Sequence, residues 1–226
     1  MLAYIMFHMG NHILGLLSLP LAEAGLRWSI FLWQSRIGTT LLYGAFVVHL
    51  ILALRTVHLR RDWHLPLSEW LRLWAGFGFP LLLISHVVGT RVATSFYGFH
   101  PSYSTVVHGI VERAGQNWQL ALLAPGWLHG CLGIWISLRH LHGIHRWRGA
   151  LLAVMIGFPL LSAAGFLRMM MAVDANPVQV IEHPAPPPTN AMALNTWHDW
   201  LLYGYITLVA GAVISGVLRR ARQSAV

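Results

Sequence analysis

Lysine is absent from this 226-residue chain, so all fifteen basic residues are arginine. Charge of either sign is scarce: Asp, Glu, Lys and Arg together make up 10% of the residues. A soluble domain of this length needs several times that charge to cover its surface, so the composition excludes a water-soluble globule. Cysteine is nearly absent as well. Cys131 is the only one, which excludes a disulfide within the chain and a thiolate metal cluster. Carboxylates are missing from the long apolar runs. The seven acids, Glu23, Asp62, Glu69, Glu112, Asp174, Glu182 and Asp199, fall in loops or at the ends of those runs.

What remains is apolar residues, 56% of the chain, with a mean hydropathy of +0.58. A lipid-crossing helix needs about 20 mostly apolar residues. Six runs meet that length, near 2–21, 29–54, 70–96, 118–138, 149–173 and 197–218. The expected fold is all-α: one polytopic domain over 1–226, a six-helix transmembrane bundle with no repeat. The stretch "HPAPPPTN", within 174–196, predicts an extended loop. No cleavable signal peptide is evident.

Arginine placement sets the expected orientation. Arg55, Arg60, Arg61, Arg72, Arg139, Arg146, Arg148, Arg219, Arg220 and Arg222 all flank one side of the six runs. That side, with both termini, is expected in the cytoplasm. The formal charge of +8 then faces anionic membrane lipid and does not point to nucleic acid.

Against this apolar background, fourteen histidines stand out. His58, His64, His100, His108, His142, His145 and His183 belong to loops and read as solvated. His8 and His12 fall in the first run, His49 in the second, His86 in the third and His129 in the fourth. An ionisable side chain at membrane depth costs several kcal/mol unless partnered, and so marks function. Three chemistries use such a set: haem b held between helices by paired imidazoles, a proton relay, and a transition-metal path. Relays and metal paths normally add membrane carboxylates, so their absence favours haem. Inert interhelical hydrogen bonding is the remaining alternative. Gly10, Gly15, Gly44, Gly89, Gly126, Gly130 and Gly133 flank the histidines and leave room for a flat macrocycle, or for ordinary close helix packing. Arg36, Arg91 and Arg168, toward the other face, suit the haem carboxylates. Depth counted along the runs pairs His86 with His129, and His49 with His8, His12 or His140.

Imidazoles in several spans without carboxylates resemble the di-haem cytochrome b anchors of succinate dehydrogenase and fumarate reductase. More closely, the layout and the phrase "SRIGTTLLYGAFVVHLILALRTVHLRRDWHLP" are similar to the haem-b anchor of bacterial class III adenylate cyclases. The resemblance implies two haem b groups with His49, His86 and His129 as axial ligands and His8, His12 or His140 as the fourth. It also implies electron exchange with quinone and a cytosolic cyclase or dehydrogenase domain as partner. Placement in the bacterial inner membrane and a homodimer follow from the same likeness. The segment "WQSRIG" echoes the Ser/Arg quinone motif of the succinate dehydrogenase anchors without its histidine. A quinone mouth is therefore expected from Ser35, Arg36, Tyr97, His100 and Tyr103.

Overall fold

The computed structural model describes residues 1–112, 115–175 and 190–224. Within them, all regular structure is helical. In chain order the α-helices are α1 (Leu2–Leu14), α2 (Leu19–Trp33), α3 (Arg36–Leu59), α4 (Leu67–Val87), α5 (Ala93–Tyr97), α6 (Tyr103–Glu112), α7 (Gln116–Leu138), α8 (Arg148–Ala175) and α9 (Ala191–Ser224). A π-helical turn, Val88–Val92, joins α4 to α5, and a 3-10 turn, Ile144–Trp147, precedes α8.

Five helical stretches are long and apolar enough to cross a membrane: Arg36–Leu59, Leu67–Tyr97, Gln116–Leu138, Ile144–Val173 and Ala191–Gln223. The expected first crossing, 2–21, is broken in two. α1 ends at Leu14, and Ser18 then caps α2 by accepting from the Leu21 N–H, with a proline in the first turn. Thirteen residues at 1.5 Å each reach only about 20 Å, against about 30 Å of hydrocarbon. The expected second crossing, 29–54, is interrupted in the same way. Ser35 accepts from the Gly38 N–H at 2.9 Å and restarts the chain as α3. Local caps that apolar run length does not register therefore replace one long crossing by α1 and α2. The proline-rich loop lies outside the described residues over 176–189, and α9 begins at Ala191, six residues earlier than Trp197.

α1 packs against α2, α7 and α8. Its approach to α8 is close enough to require glycine on both sides. A Cβ at Gly15 would sit 2.7 Å from Met169 Cγ, and one at Gly165 would overlap the His12 carbonyl oxygen. The buried Ser162 hydroxyl lies 2.9 Å from the Met9 carbonyl and closes this seam. Next to it, Ala22, Tyr103, Val107, Phe166, Met169 and Val173 form one apolar cluster. Ile84, Val88 and Val92 form a second, against α9.

At the arginine-rich end, α3 and α9 run side by side in the same direction. Arg219 Nη2 donates to the Leu59 carbonyl and Arg220 Nη1 to the Arg60 carbonyl, each at 2.8 Å. Both Arg60 and Arg220 lie over the Trp63 ring, and Arg60 reaches Glu69 at 4.0 Å. These arginines thus cap the C-terminal carbonyls of α3 as well as carrying charge.

Overpacking a tight helix seam costs about 1–3 kcal/mol. Gly165→Val should therefore lower the thermal midpoint of the detergent-solubilised protein by several degrees. Gly204→Ala, where a Cβ meets nothing within 4 Å, should leave it unchanged. Equal midpoints for both variants would contradict the α1–α8 seam.

Candidate functional site

α4 and α7 form the closest helix pair, and they are antiparallel. Their register is fixed by direct contacts. Trp118 Nε1 donates to the Leu82 carbonyl at 2.9 Å, Gly126 sits under the Phe79 ring, and Gly76 sits under the His129 imidazole. This register places His86 opposite Gln119, and His129 opposite Arg72 and Gly76. Gln119 and His129 are ten residues apart on α7, roughly 15 Å along the axis. The depth-based pairing of His86 with His129 therefore does not form.

The rings that do meet belong to other pairs. His8 on α1 and His86 on α4 have ring centres 5.7 Å apart with planes at 73°. His49 on α3 and His129 on α7 have ring centres 5.7 Å apart with planes at 80°. Neither α1 with α4 nor α3 with α7 is among the extensively packed helix pairs, so each pair of helices meets chiefly through these imidazoles. His12 lies one turn beyond His8, with ring centres 5.1 Å apart, and contacts Phe166 and Tyr103. His140, past the end of α7, is exposed and contacts none of these rings.

Three of these imidazoles have Nδ1 engaged. His129 Nδ1 lies 2.9 Å from the Arg72 carbonyl, an acceptor only, so Nδ1 carries the proton and Nε2 a free lone pair. His86 Nδ1 lies 3.1 Å from Gln119 Oε1, and His12 Nδ1 lies 2.8 Å from the Tyr103 hydroxyl. Tyr103 is held in turn by Glu23. That carboxylate accepts from the Tyr103 N–H and the Ser104 N–H, both at 2.9 Å, and from the Ser104 hydroxyl at 3.1 Å. Burial, and then the Glu23 charge, push the Tyr103 phenol well above its usual range.

The glycines divide into two kinds. Gly15, Gly126 and Gly130 are packing glycines, where a Cβ would strike Met169, Phe79 or Leu2. Gly10, Gly44, Gly89 and Gly133 face open space, with nothing within 4 Å of a built Cβ. Those four lie on α1, α3, the π-turn and α7, the elements that carry or adjoin the two imidazole pairs.

Arg91 lies on the π-helical turn, five residues after His86. Its Nη2 donates to Thr39 Oγ1 at 2.9 Å, and its guanidinium lies 5.9 Å from the Tyr43 ring centre. Arg36 is exposed at the start of α3, three residues from Thr39 and so at the same end of that helix. Arg168 is exposed on α8, away from the face carrying Phe166 and Met169. Among the described residues, none of these three arginines pairs with a carboxylate.

The expected quinone mouth is not assembled as one patch. Ser35 Oγ is committed to the Leu32 carbonyl and the Gly38 N–H. The Tyr97 hydroxyl accepts from Trp197 Nε1 at 3.1 Å beside the α9 cluster, and Tyr103 belongs to the α1–α8 cluster. Gln119, Glu23 and the Arg72 carbonyl went unrecognised in the sequence. A glutamine inside an apolar run was a signal for the first; the Glu23 carboxylate finds its partners eighty residues away and the Arg72 contact is a backbone carbonyl, so neither carries a local signal.

Among the described residues, no three His, Cys, Asp or Glu side chains converge to hold a bare metal ion. Haem iron asks less of the protein, because the macrocycle fills the equatorial positions and two opposed imidazoles suffice. Paired imidazoles whose Nδ1 partners leave Nε2 unprotonated, and nearby glycines without neighbours, fit that group in donor chemistry.

The pairing is testable by cross-linking in a Cys131→Ala background. His49→Cys with His129→Cys, and His8→Cys with His86→Cys, should each be bridged by a short bis-maleimide, which adds one thiol at each end. His86→Cys with His129→Cys should not. Bridging of the last pair alone would overturn the register.

No protein-family model matches the chain, and neither a curated protein nor a solved structure matches it significantly.

Proposed function

We propose that this chain is a membrane-embedded b-type cytochrome that holds two haem groups. It exchanges electrons with membrane quinone and serves as the redox-sensing or electron-transfer anchor of a cytosolic partner such as an adenylate cyclase domain. The observation that supports this most is the two imidazole pairs, His8–His86 and His49–His129. Each joins two helices that share little other contact. When bound, haem b would supply one-electron redox chemistry.

The residues of the chain do the rest. His86 and an α1 histidine, His8 by ring proximity or His12 one turn away, would hold one haem. His49 and His129 would hold the other. Arg91, positioned by Thr39, offers a bidentate donor pair to a carboxylate near the first pair. Arg36 and Tyr97 lie at the end of the bundle opposite the arginine-rich loops, where a quinone entering from lipid meets polar side chains. The arginine-rich end, with the last turns of α9, faces the cytoplasm of a bacterial inner membrane. A partner attached there continues from a helix whose arginines are bound to α3.

The reading is tested by a reduced-minus-oxidised optical spectrum of protein purified from haem-replete cells, with haem counted per chain. A b-type α-band and two haems are expected. Alanine at His86 should remove about half of the haem, and alanine at His49 or His129 the other half. Wild-type protein without an α-band would overturn the reading.

A further inference from the structure

We infer that Gln119 is a positioning residue for His86: its side-chain oxygen accepts the Nδ1 proton of that imidazole and keeps Nε2 as the free electron pair, on a ring that meets His8 of α1. The inference rests on the cytochrome reading and adds a residue to it. Its basis is a comparison within the molecule. Both α4–α7 imidazoles have Nδ1 held across the same helix pair. At one end, Arg72 of α4 offers its backbone carbonyl to His129 of α7, at 2.9 Å. At the other, the roles of the helices are exchanged, and Gln119 of α7 offers its amide oxygen to His86 of α4, at 3.1 Å. A carbonyl leaves only one tautomer for His129. The matching contact assigns the same tautomer to His86, with the amide oxygen as acceptor.

The surroundings of His86 favour a fixed ring. The Thr90 hydroxyl donates to the His86 carbonyl at 2.6 Å, where the π-turn begins. Gln119 also lines a cavity of about 100 Å³ together with His86, Ser85, Thr90 and Thr105. That is room for about three waters beside polar groups. The two ends of α7 then differ in kind. The His129 contact is made by backbone and is indifferent to side-chain substitution, whereas the His86 contact is set by one replaceable side chain.

An acceptor on Nδ1–H makes imidazole a stronger donor and stabilises the oxidised iron it holds. This gives a test with two signs, read by potentiometric titration of the purified holoprotein. Gln119→Leu removes the acceptor and should raise the midpoint potential of one haem. Gln119→Glu strengthens the acceptor and should lower the potential of that same haem, while the second haem stays at its wild-type value in both. His86→Ala identifies the affected haem, since the moving potential should be the one it abolishes. Gln119→Asn, rescued toward wild type, covers the case in which the leucine variant fails to assemble. A purely structural role shifts both variants the same way or moves both haems, and either outcome overturns the inference. Haem with potentials unmoved by all three variants overturns it alone. A wild-type protein that binds no haem overturns the cytochrome reading and this inference with it.

Discussion

An imidazole N–H among apolar helices has to find an acceptor, and that requirement organises the site. His129 takes a backbone carbonyl of α4, His86 the amide of Gln119, and His12 the hydroxyl of Tyr103. Each bond crosses from one helix to another, so satisfying the nitrogen also fixes which helices face each other. The His129 and His86 bonds lie on the α4–α7 seam, the most extensive in the bundle, and help lock its register. That register separates the two imidazole pairs by roughly three turns. Tyr103 reaches His12 only because Glu23 of α2 holds the start of α6 with three hydrogen bonds. A carboxylate at a helix N-terminus is favoured by the helix dipole as well.

Much of this was legible in the sequence, and the failures have definite causes. The all-helical class follows from run length and low charge, which nothing local overrides. The number of crossings does not, because Ser18 and Ser35 cap helices inside runs that read as continuous. The histidines that meet were all singled out as the imidazoles inside apolar runs. Their partners were not, because pairing depends on register. Counting depth from run centres put His86 level with His129, while the contacts of Trp118, Gly126 and Gly76 set His86 against Gln119. The glycines were noted as a group, yet only the packing around each separates Gly126, pressed on Phe79, from Gly89, which faces open space.

The arginines show the same dependence on packing. Those near Trp63 satisfy helix-end carbonyls and an aromatic face, which ties α9 to α3 at one end of the bundle. Arg91 does something different: it sits on the π-turn, bound to Thr39 across the gap to α3, with no carboxylate partner among the described residues. A π-turn inserted just past His86 redirects the residues that follow it, and such turns are frequent at functional sites.

The central claim is that two imidazoles meet at each of two irons. Electron paramagnetic resonance of the oxidised protein at low temperature tests it most directly, because the signal reports both the number of imidazoles and the angle between their planes. Ring planes at 73° and 80° predict two low-spin ferric signals of the strongly anisotropic kind that near-perpendicular imidazoles produce. A high-spin ferric signal at full haem occupancy, or no haem iron signal at all, would contradict the account.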